Sequence, residues 1–483
     1  MASVKEETAS GIKWGLIQKC TMQPVQFVYG IILARLISPA EMGILGLTAI
    51  FFAIAGQLQQ CGFGAALIRK QNRTDEDICT VFWFNVAMSL ILSTLLFLAA
   101  PWFAWFFDQP ALINLTRVSA LLMFLNSTVS VHMTLYQARR DFKTPAIVSM
   151  CVTLVAMPFT IWAAFAGWSY WAPMLQGVIT GLLTLVVIWR ISPWKPRFSF
   201  STSSFREFFR YGANLAMTGV LTQTYLEIRT FIIGKFYSPA QLAYFSRGQH
   251  TCSMPLQLAT SVLGPITFPI LATLQEDQQR LFQVYRKYIR LMTMCIEWGM
   301  ITLAANASAF IVLLYGENWS TAAIYAQILC FGWMLNPLLS LNSNLCAILG
   351  RTDLNLKLEI VLRTVSITVM ILCAFHSVTA LCYAAVFAAS FGFLASCIII
   401  TNISPIRIAH LATDFFPYLF MALIANMPSF FIDKLDWHPC IRMFLGVALS
   451  ATLYGLFLWL RKDQTATYLI SIVVERFTSK RAA

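Results

Sequence analysis

Residues 90–100 read LILSTLLFLAA, an uncharged stretch inside the longer apolar run 79–100. A strand of a membrane barrel alternates apolar and polar positions, and this stretch does not. A spanning helix needs about 20 apolar residues, because each residue rises 1.5 Å across a hydrocarbon core of about 30 Å. The run 79–100 therefore reads as one transmembrane helix. Outward from it the pattern repeats at 12–37, 42–66, 112–138, 144–166, 169–190, 207–236, 248–273, 286–315, 320–349, 355–375, 377–401, 411–432 and 441–461, fourteen spans in all. Composition agrees: 58% of the 483 residues are hydrophobic and 11% charged, against about 45–50% and about 25% in soluble domains. So few charges do not furnish a polar surface, and the expected class is an all-α polytopic membrane protein. The first ten residues, MASVKEETAS, are polar, and the long stretch after them carries Lys19. A retained first span is expected there, not a cleaved leader.

The positive-inside rule orients the spans. With a cytoplasmic amino terminus, 25 of the 34 Lys and Arg residues fall on the inside. They include Arg69, Lys70 and Arg73, Arg139, Arg140 and Lys143, the stretch 190–210, and Arg280, Arg286, Lys287 and Arg290. Five fall outside (Arg35, Lys235, Arg247, Lys434 and Arg442), and Lys19, Arg117, Arg229 and Arg363 lie within spans. Both termini are thus expected in the cytoplasm of a bacterial inner membrane. The net charge of +13 reads as topology and contact with anionic lipid, not as nucleic-acid binding. FREFFRY (205–211) and LFQVYRKYIRL (281–291) look amphipathic, as interfacial helix starts do. The carboxy-terminal YLISIVVERF is too short to span and is expected on the membrane surface.

Residues 30–46, GIILARLISPAEMGILG, align without gaps on 230–246, TFIIGKFYSPAQLAYFS. At the same offset Gln23 meets Gln223 and Gly64 meets Gly264. Both copies stand at the turn between the first two spans of a six-helix set. The repeats would be parallel, related by an axis along the membrane normal. The expected organisation is an N-lobe at 1–190, a cytoplasmic linker at 191–206, a C-lobe at 207–401, two further spans at 402–461 and a tail at 462–483, with a cleft between the lobes.

Ionisable residues within spans mark functional sites or structural pairs. Lys19, Gln23 and Gln26 share one helix face, and Asn214, Thr218, Thr222, Tyr225 and Arg229 trace a similar stripe. Lys19, Arg229, Arg117, Gln23 and Gln223 are candidate cleft-lining residues. Their positive field suits an anionic ligand such as a pyrophosphate, which guanidinium groups bind through paired hydrogen bonds. The alternative is interhelical hydrogen bonding within a lobe, and Arg117 lies near enough to an end to snorkel. Glu227 and Arg229 are two residues apart and face opposite ways, so each needs a partner elsewhere. Glu297 is the other acid at depth, as a proton carrier or half of a structural pair. Glu359 and Arg363 are spaced for a local salt bridge. Mid-span Pro24, Pro158, Pro265, Pro337 and Pro417 are candidate kinks.

Catalytic signatures are missing from the sequence: no GxxxxGK[ST], no HExxH, no GxSxG. No catalytic or metal-ligating residue and no cofactor is expected beyond a coupling ion, H+ or Na+. Asp75-Glu-Asp77 resembles the acidic pair of a sugar transferase but reads as solvated loop. The twelve cysteines are scattered singly, Cys151, Cys330 and Cys397 among them, and read as small buried hydrophobes.

The run LARLISPAEMGILGLTAIFFAIAGQLQQCGFGAALIRKQNRTDEDICTVFWFN (33–85) resembles the polysaccharide-transport, Wzx-type flippases of the multidrug/oligosaccharidyl-lipid/polysaccharide superfamily. Its LARLISP turn, GFGAALI segment and T-x-x-D-x-x-T-x-F-W-x-N entry carry the likeness. RYGANLAMTG (210–219), IIGKFYSPAQLAYFSRGQ (232–249), LYGENW (314–319) and AILGRTDL (347–354) extend it. The resemblance implies a V-shaped bundle of fourteen helices. It would flip undecaprenyl-pyrophosphate-linked oligosaccharides by alternating access, coupled to an ion gradient or the membrane potential. Its partners would be the lipid-linked oligosaccharide, membrane lipids, and the polysaccharide polymerase and chain-length machinery, with the chain itself a monomer. Two other functions compete. A multidrug or metabolite antiporter of the same superfamily would often carry an acidic cation site in the amino lobe, where this chain carries Lys19. A polymerase or ligase would carry a long outer loop with catalytic basic residues, and the outer loops here are short.

Overall fold

Lipid offers no hydrogen-bonding partner to a backbone N–H or C=O, so an apolar segment closes its own i→i−4 bonds. The computed structural model describes residues 4–433, 435–463 and 465–467, with the side chains of 4–10, 12, 16, 258–259 and 261–266 excepted. Among the described residues it is all-helical, without a strand. Gly264, Pro265, Lys434 and the YLISIVVERF segment lie outside what it describes.

The first compact unit spans residues 1–243. It holds α1 (Val4–Leu36), α2 (Pro39–Gln60), α3 (Phe63–Arg69), α4 (Asp75–Phe106), α5 (Leu112–Ala138), α6 (Lys143–Phe165), α7 (Trp171–Ile191), α8 (Thr202–Phe236) and the start of α9 (Pro239–Ala272). The second, residues 244–483, holds the rest of α9, then α10 (Gln278–Ala305), α11 (Ala307–Tyr315), a 3-10 turn at Glu317–Trp319, α12 (Ser320–Trp333), α13 (Asn336–Ile348), α14 (Thr352–Cys373), α15 (Val378–Ile403), α16 (Ile408–Ile432) and α17 (Pro439–Leu460).

The expected segments fall largely in helices, but three of them are broken: 42–66 between α2 and α3, 286–315 between α10 and α11, and 320–349 between α12 and α13. Nine helices among the described residues are long and apolar enough to cross a bilayer, and ten if α10 and α11, bent by 69°, make one span. α8 and α14 fall short of that measure, and α8 carries Arg206, Glu207, Arg210, Glu227, Arg229 and Lys235 along its length.

The repeated SPA turn is a helix start. Ser38 caps α2: its hydroxyl accepts the Glu41 N–H at 3.4 Å, and the Glu41 carboxylate accepts the Ser38 N–H at 3.0 Å. Pro39 takes the first helical position, where its missing N–H is no loss. In the second copy the Ser238 hydroxyl accepts the Gln241 N–H at 3.3 Å. The repeat therefore encodes a capping motif.

Several sequence expectations are corrected. Asp77 is not solvated loop: it is 1% exposed, stands in the first turn of α4 and completes a capping box with Thr74. Lys70 reaches across to neutralise it, which is why burial is tolerated. Pro337 sits in the first turn of α13, at the break after α12, and not inside a helix. Seven of the cysteines are buried, whereas Cys20, Cys151, Cys295 and Cys440 are exposed. An apolar thiol can face lipid as well as a core.

A basic cavity as candidate functional site

The left-handed pair Cys61 (φ 42°) and Gly62 (φ 65°) separates α2 from α3 and turns the chain sharply. α8 packs on α2, α3 and α4, and it approaches that turn through Gly212. A Cβ on Gly62 would stand 2.9 Å from the Gly212 carbonyl oxygen, so only glycine lets the backbones meet this closely. Phe63, Phe208 and Leu67 fill the space behind.

This packing leaves a cavity of about 990 Å³ between the end of α3 and the first turns of α8. Arg69, Lys70, Arg206 and Arg210 line it, with Glu207, Tyr211 and Asn214. Arg69 lies over the Tyr211 ring at 4.8 Å. The Lys70 ammonium donates to Asp77 at 3.0 Å and to Glu207 at 3.1 Å. Burial pulls the Lys70 pKa down, but those two carboxylates outweigh it and hold the group above the ordinary lysine value. Four cations against one lining carboxylate leave an excess of positive charge. With its open polar rim the cavity suits a polyanion of phosphate type.

The linker after α7 is pinned to α4 and so fixes where α8 begins. The Trp83 indole donates to the Arg197 carbonyl at 2.8 Å, and the Thr80 hydroxyl accepts the Ser201 N–H at 2.9 Å. His132 is buried, hydrogen-bonded to Ser192 at 2.9 Å, and ringed by Phe82, Trp189 and Trp194.

The sequence-derived candidates sit elsewhere in the first unit. Lys19 is exposed on α1, which packs chiefly on α6, and Gln23 is half-buried. The Gln23 carbonyl oxygen is buried without a partner among the described residues. Arg117, on α5, covers the Phe97 ring at 4.9 Å, and its Nε is also buried and unpartnered. On α8, Gln223 donates to Glu227 at 3.0 Å, which supplies the partner Glu227 needs one turn away. Arg229 is half-buried on the same helix.

In the second unit Asp414 of α16, 3% exposed, accepts Arg286 Nε at 2.6 Å, Arg286 Nη2 at 2.9 Å and Arg290 Nε at 2.7 Å. An almost wholly apolar groove of about 680 Å³ runs between α9, α10 and α17, past Pro255, Ile296, Met300, Phe444 and Val447. Glu297 is buried on α10.

Residues 32–324 match the model of the family described as polysaccharide biosynthesis protein. The chain belongs to the polysaccharide biosynthesis protein family. The teichuronic acid biosynthesis protein TuaB of Bacillus subtilis (strain 168) is 22% identical over 356 residues, 73% of this chain and 74% of that one. The succinoglycan biosynthesis transport protein ExoT of Rhizobium meliloti (strain 1021) is 24% identical over 311 residues, 64% and 63% of the two chains. Among solved structures, lipid II flippase MurJ in an inward closed conformation superposes with a TM-score of 0.68 at 12% identity, over 94% of this chain and 98% of that one. The chain therefore shares the fold of that protein.

The motifs that resemble the polysaccharide-transport flippases have physical roles in this fold. The GFGAALI and RYGANLAMTG segments meet at Gly62 and Gly212, and Thr74, Asp77, Thr80 and Trp83 anchor Lys70 and the linker. By charge asymmetry alone Arg69, Lys70, Arg206 and Arg210 are inner-loop residues that set topology. The signal that could have raised them was their position beside two family motifs.

Proposed function

We propose that this chain is a flippase, not an enzyme, moving lipid-linked oligosaccharides of undecaprenyl-pyrophosphate type from the cytoplasmic to the periplasmic leaflet of the bacterial inner membrane. Fourteen helices in two lobes would alternate access to the two sides, both termini staying in the cytoplasm. The observation that carries the reading is the basic cavity of about 990 Å³ lined by Arg69, Lys70, Arg206 and Arg210. By the charge asymmetry it opens at the cytoplasmic face, where a pyrophosphate headgroup would first be met. Bidentate guanidinium–phosphate bonds are strong and geometrically selective. Lys19, Gln23, Arg117, Gln223 and Arg229 are the polar positions the headgroup and sugars would meet deeper in the bilayer. An isoprenoid tail needs a dry apolar surface, and the groove along α10 and α17 is of that chemistry.

Deletion of the gene tests this. Lipid-linked repeat units are expected to accumulate on the cytoplasmic leaflet, and the wild-type gene should clear them. Units found already translocated but unpolymerised would overturn the reading in favour of a polymerase.

A further inference from the structure

Glu297 is 1% exposed, and both of its carboxyl oxygens are buried with no hydrogen-bond partner among the described residues. An ionised carboxylate so placed, without donor or counter-charge, is strongly disfavoured against the neutral acid. It stands on the α10 face that carries Arg286, Arg290 and Thr293, spaced four, three and four residues apart. Thr293 reaches the Asp414 carbonyl at 3.2 Å, so this face meets α16. Glu297 lies about 10 Å further along the helix than Arg290.

A polar vestibule of about 320 Å³ opens where that face begins, lined by Arg286, Arg290, Asp414, Tyr418, Lys462 and Asp463, among others. The Tyr418 hydroxyl donates to Asp463 at 2.8 Å. Deeper in, the Tyr454 hydroxyl donates to the Met294 carbonyl at 2.9 Å, one turn before Glu297.

We propose that Glu297 is a proton-binding site, exchanging its proton with the vestibule of Arg286, Arg290, Asp414, Tyr418 and Asp463 past the Tyr418 and Tyr454 hydroxyls. On loading, a hydronium ion of the vestibule water gives its proton to a Glu297 oxygen. An O–H bond forms there, and water is left behind. On release the O–H electron pair stays on the carboxylate and the proton returns to water.

The groups around Glu297 fit this assignment. α10 itself carries Arg280, Tyr285, Lys287, Tyr288, Cys295 and the two Asp414-bound arginines, α9 carries Tyr244, Arg247, His250 and Cys252, α16 carries His410, Asp414 and Tyr418, and α17 carries Cys440, Arg442 and Tyr454. α11, α12 and α13 carry no charged side chain, only Tyr315, Tyr325, Cys330 and Cys346 as titratable groups. Asp414 is already matched by two arginines, whereas Glu297 has no partner among the described residues. On its other side Trp298 and Thr302 both bond Ser450, at 3.0 and 3.1 Å, and none of the three titrates. That the bound proton drives transport rests on the flippase reading; that Glu297 binds it does not.

Infrared difference spectroscopy of the full chain in phospholipid vesicles tests the site without any substrate. A protonated-carboxyl band is expected at neutral pH, replaced by carboxylate bands at alkaline pH. Glu297→Gln should remove it, and Glu297→Asp should shift it but keep it. Glu297→Gln reproduces the shape of the neutral acid, so its melting temperature should stay near wild type. Should it instead fail to fold, persistence of the band unshifted in Glu297→Asp would overturn the proposal. An unaltered band in folded Glu297→Gln, or no such band in wild type, would do the same. After a pH jump, Tyr418→Phe and Asp463→Asn should slow loss of the band at least fivefold. An unchanged rate in both would overturn the vestibule route.

Discussion

Gly62 and Gly212 meet backbone to backbone: a Cβ on Gly62 would stand 2.9 Å from the Gly212 carbonyl oxygen, and one on Gly212 would collide with the Cys61 carbonyl. Gly62 is also held at φ 65°, in the region L side chains rarely enter. This contact sets the α3–α8 spacing and with it the width of the basic cavity. Gly212→Ala should destabilise the protein by about 1–3 kcal/mol, as overpacking does, and lower its melting temperature in vesicles. An unchanged melting point would show that the helices part freely.

Arg206 and Arg210 are exposed at the cavity, so replacing both with Gln should leave folding intact. Flipping of lipid-linked oligosaccharide should fall at least tenfold, the loss of about 1.4 kcal/mol of binding or more. Full transport by the double variant would remove the cavity from the mechanism.

Asp414 accepts three hydrogen bonds from two arginines. Asp414→Asn takes from both guanidinium groups the carboxylate they bond. Breaking a buried pair costs about 3–5 kcal/mol, and the partial exposure of both arginines reduces this to roughly 2 kcal/mol. Thermal unfolding of Asp414→Asn against wild type measures it, and Arg290→Gln, which leaves Arg286 in place, should cost less.

Lys70 is held above the ordinary lysine value in the folded chain. A group raised on folding stabilises in its protonated form. Its contribution is present in full below the unfolded lysine pKa and is lost as pH rises through the raised folded one. Wild type should therefore melt above Lys70→Gln at neutral pH, and the gap should close in strongly alkaline buffer. A gap that is constant with pH would mean that Lys70 acts through packing of its stem on Phe208, whose ring lies 5.3 Å from the ammonium.

What was legible in the sequence was local. The all-helical class followed from hydropathy, because a backbone in lipid has few ways to satisfy itself. The Glu359–Arg363 pair, 3.2 Å apart, followed from i, i+4 spacing. The Gln223–Glu227 pair, 3.0 Å apart, has the same spacing. The SPA repeat was found as a pattern, and its meaning as a helix cap needed the hydrogen bonds.

The cavity and the buried acids were decided by tertiary structure. Lys70 meets Glu207 across 137 residues, and Arg286 meets Asp414 across 128. Asp77 looked like a solvated loop residue because nothing in its own stretch announces the cation that reaches back to it. By itself the sequence determined that the chain is a helical membrane protein, that its basic residues cluster by loop, and which family its motifs resemble. Only the packed structure decided that Arg69, Lys70, Arg206 and Arg210 share one cavity while Glu297 has no partner among the described residues. Hydropathy is a property of a window along the chain, whereas the state of a charge depends on what the fold brings within a few ångströms of it.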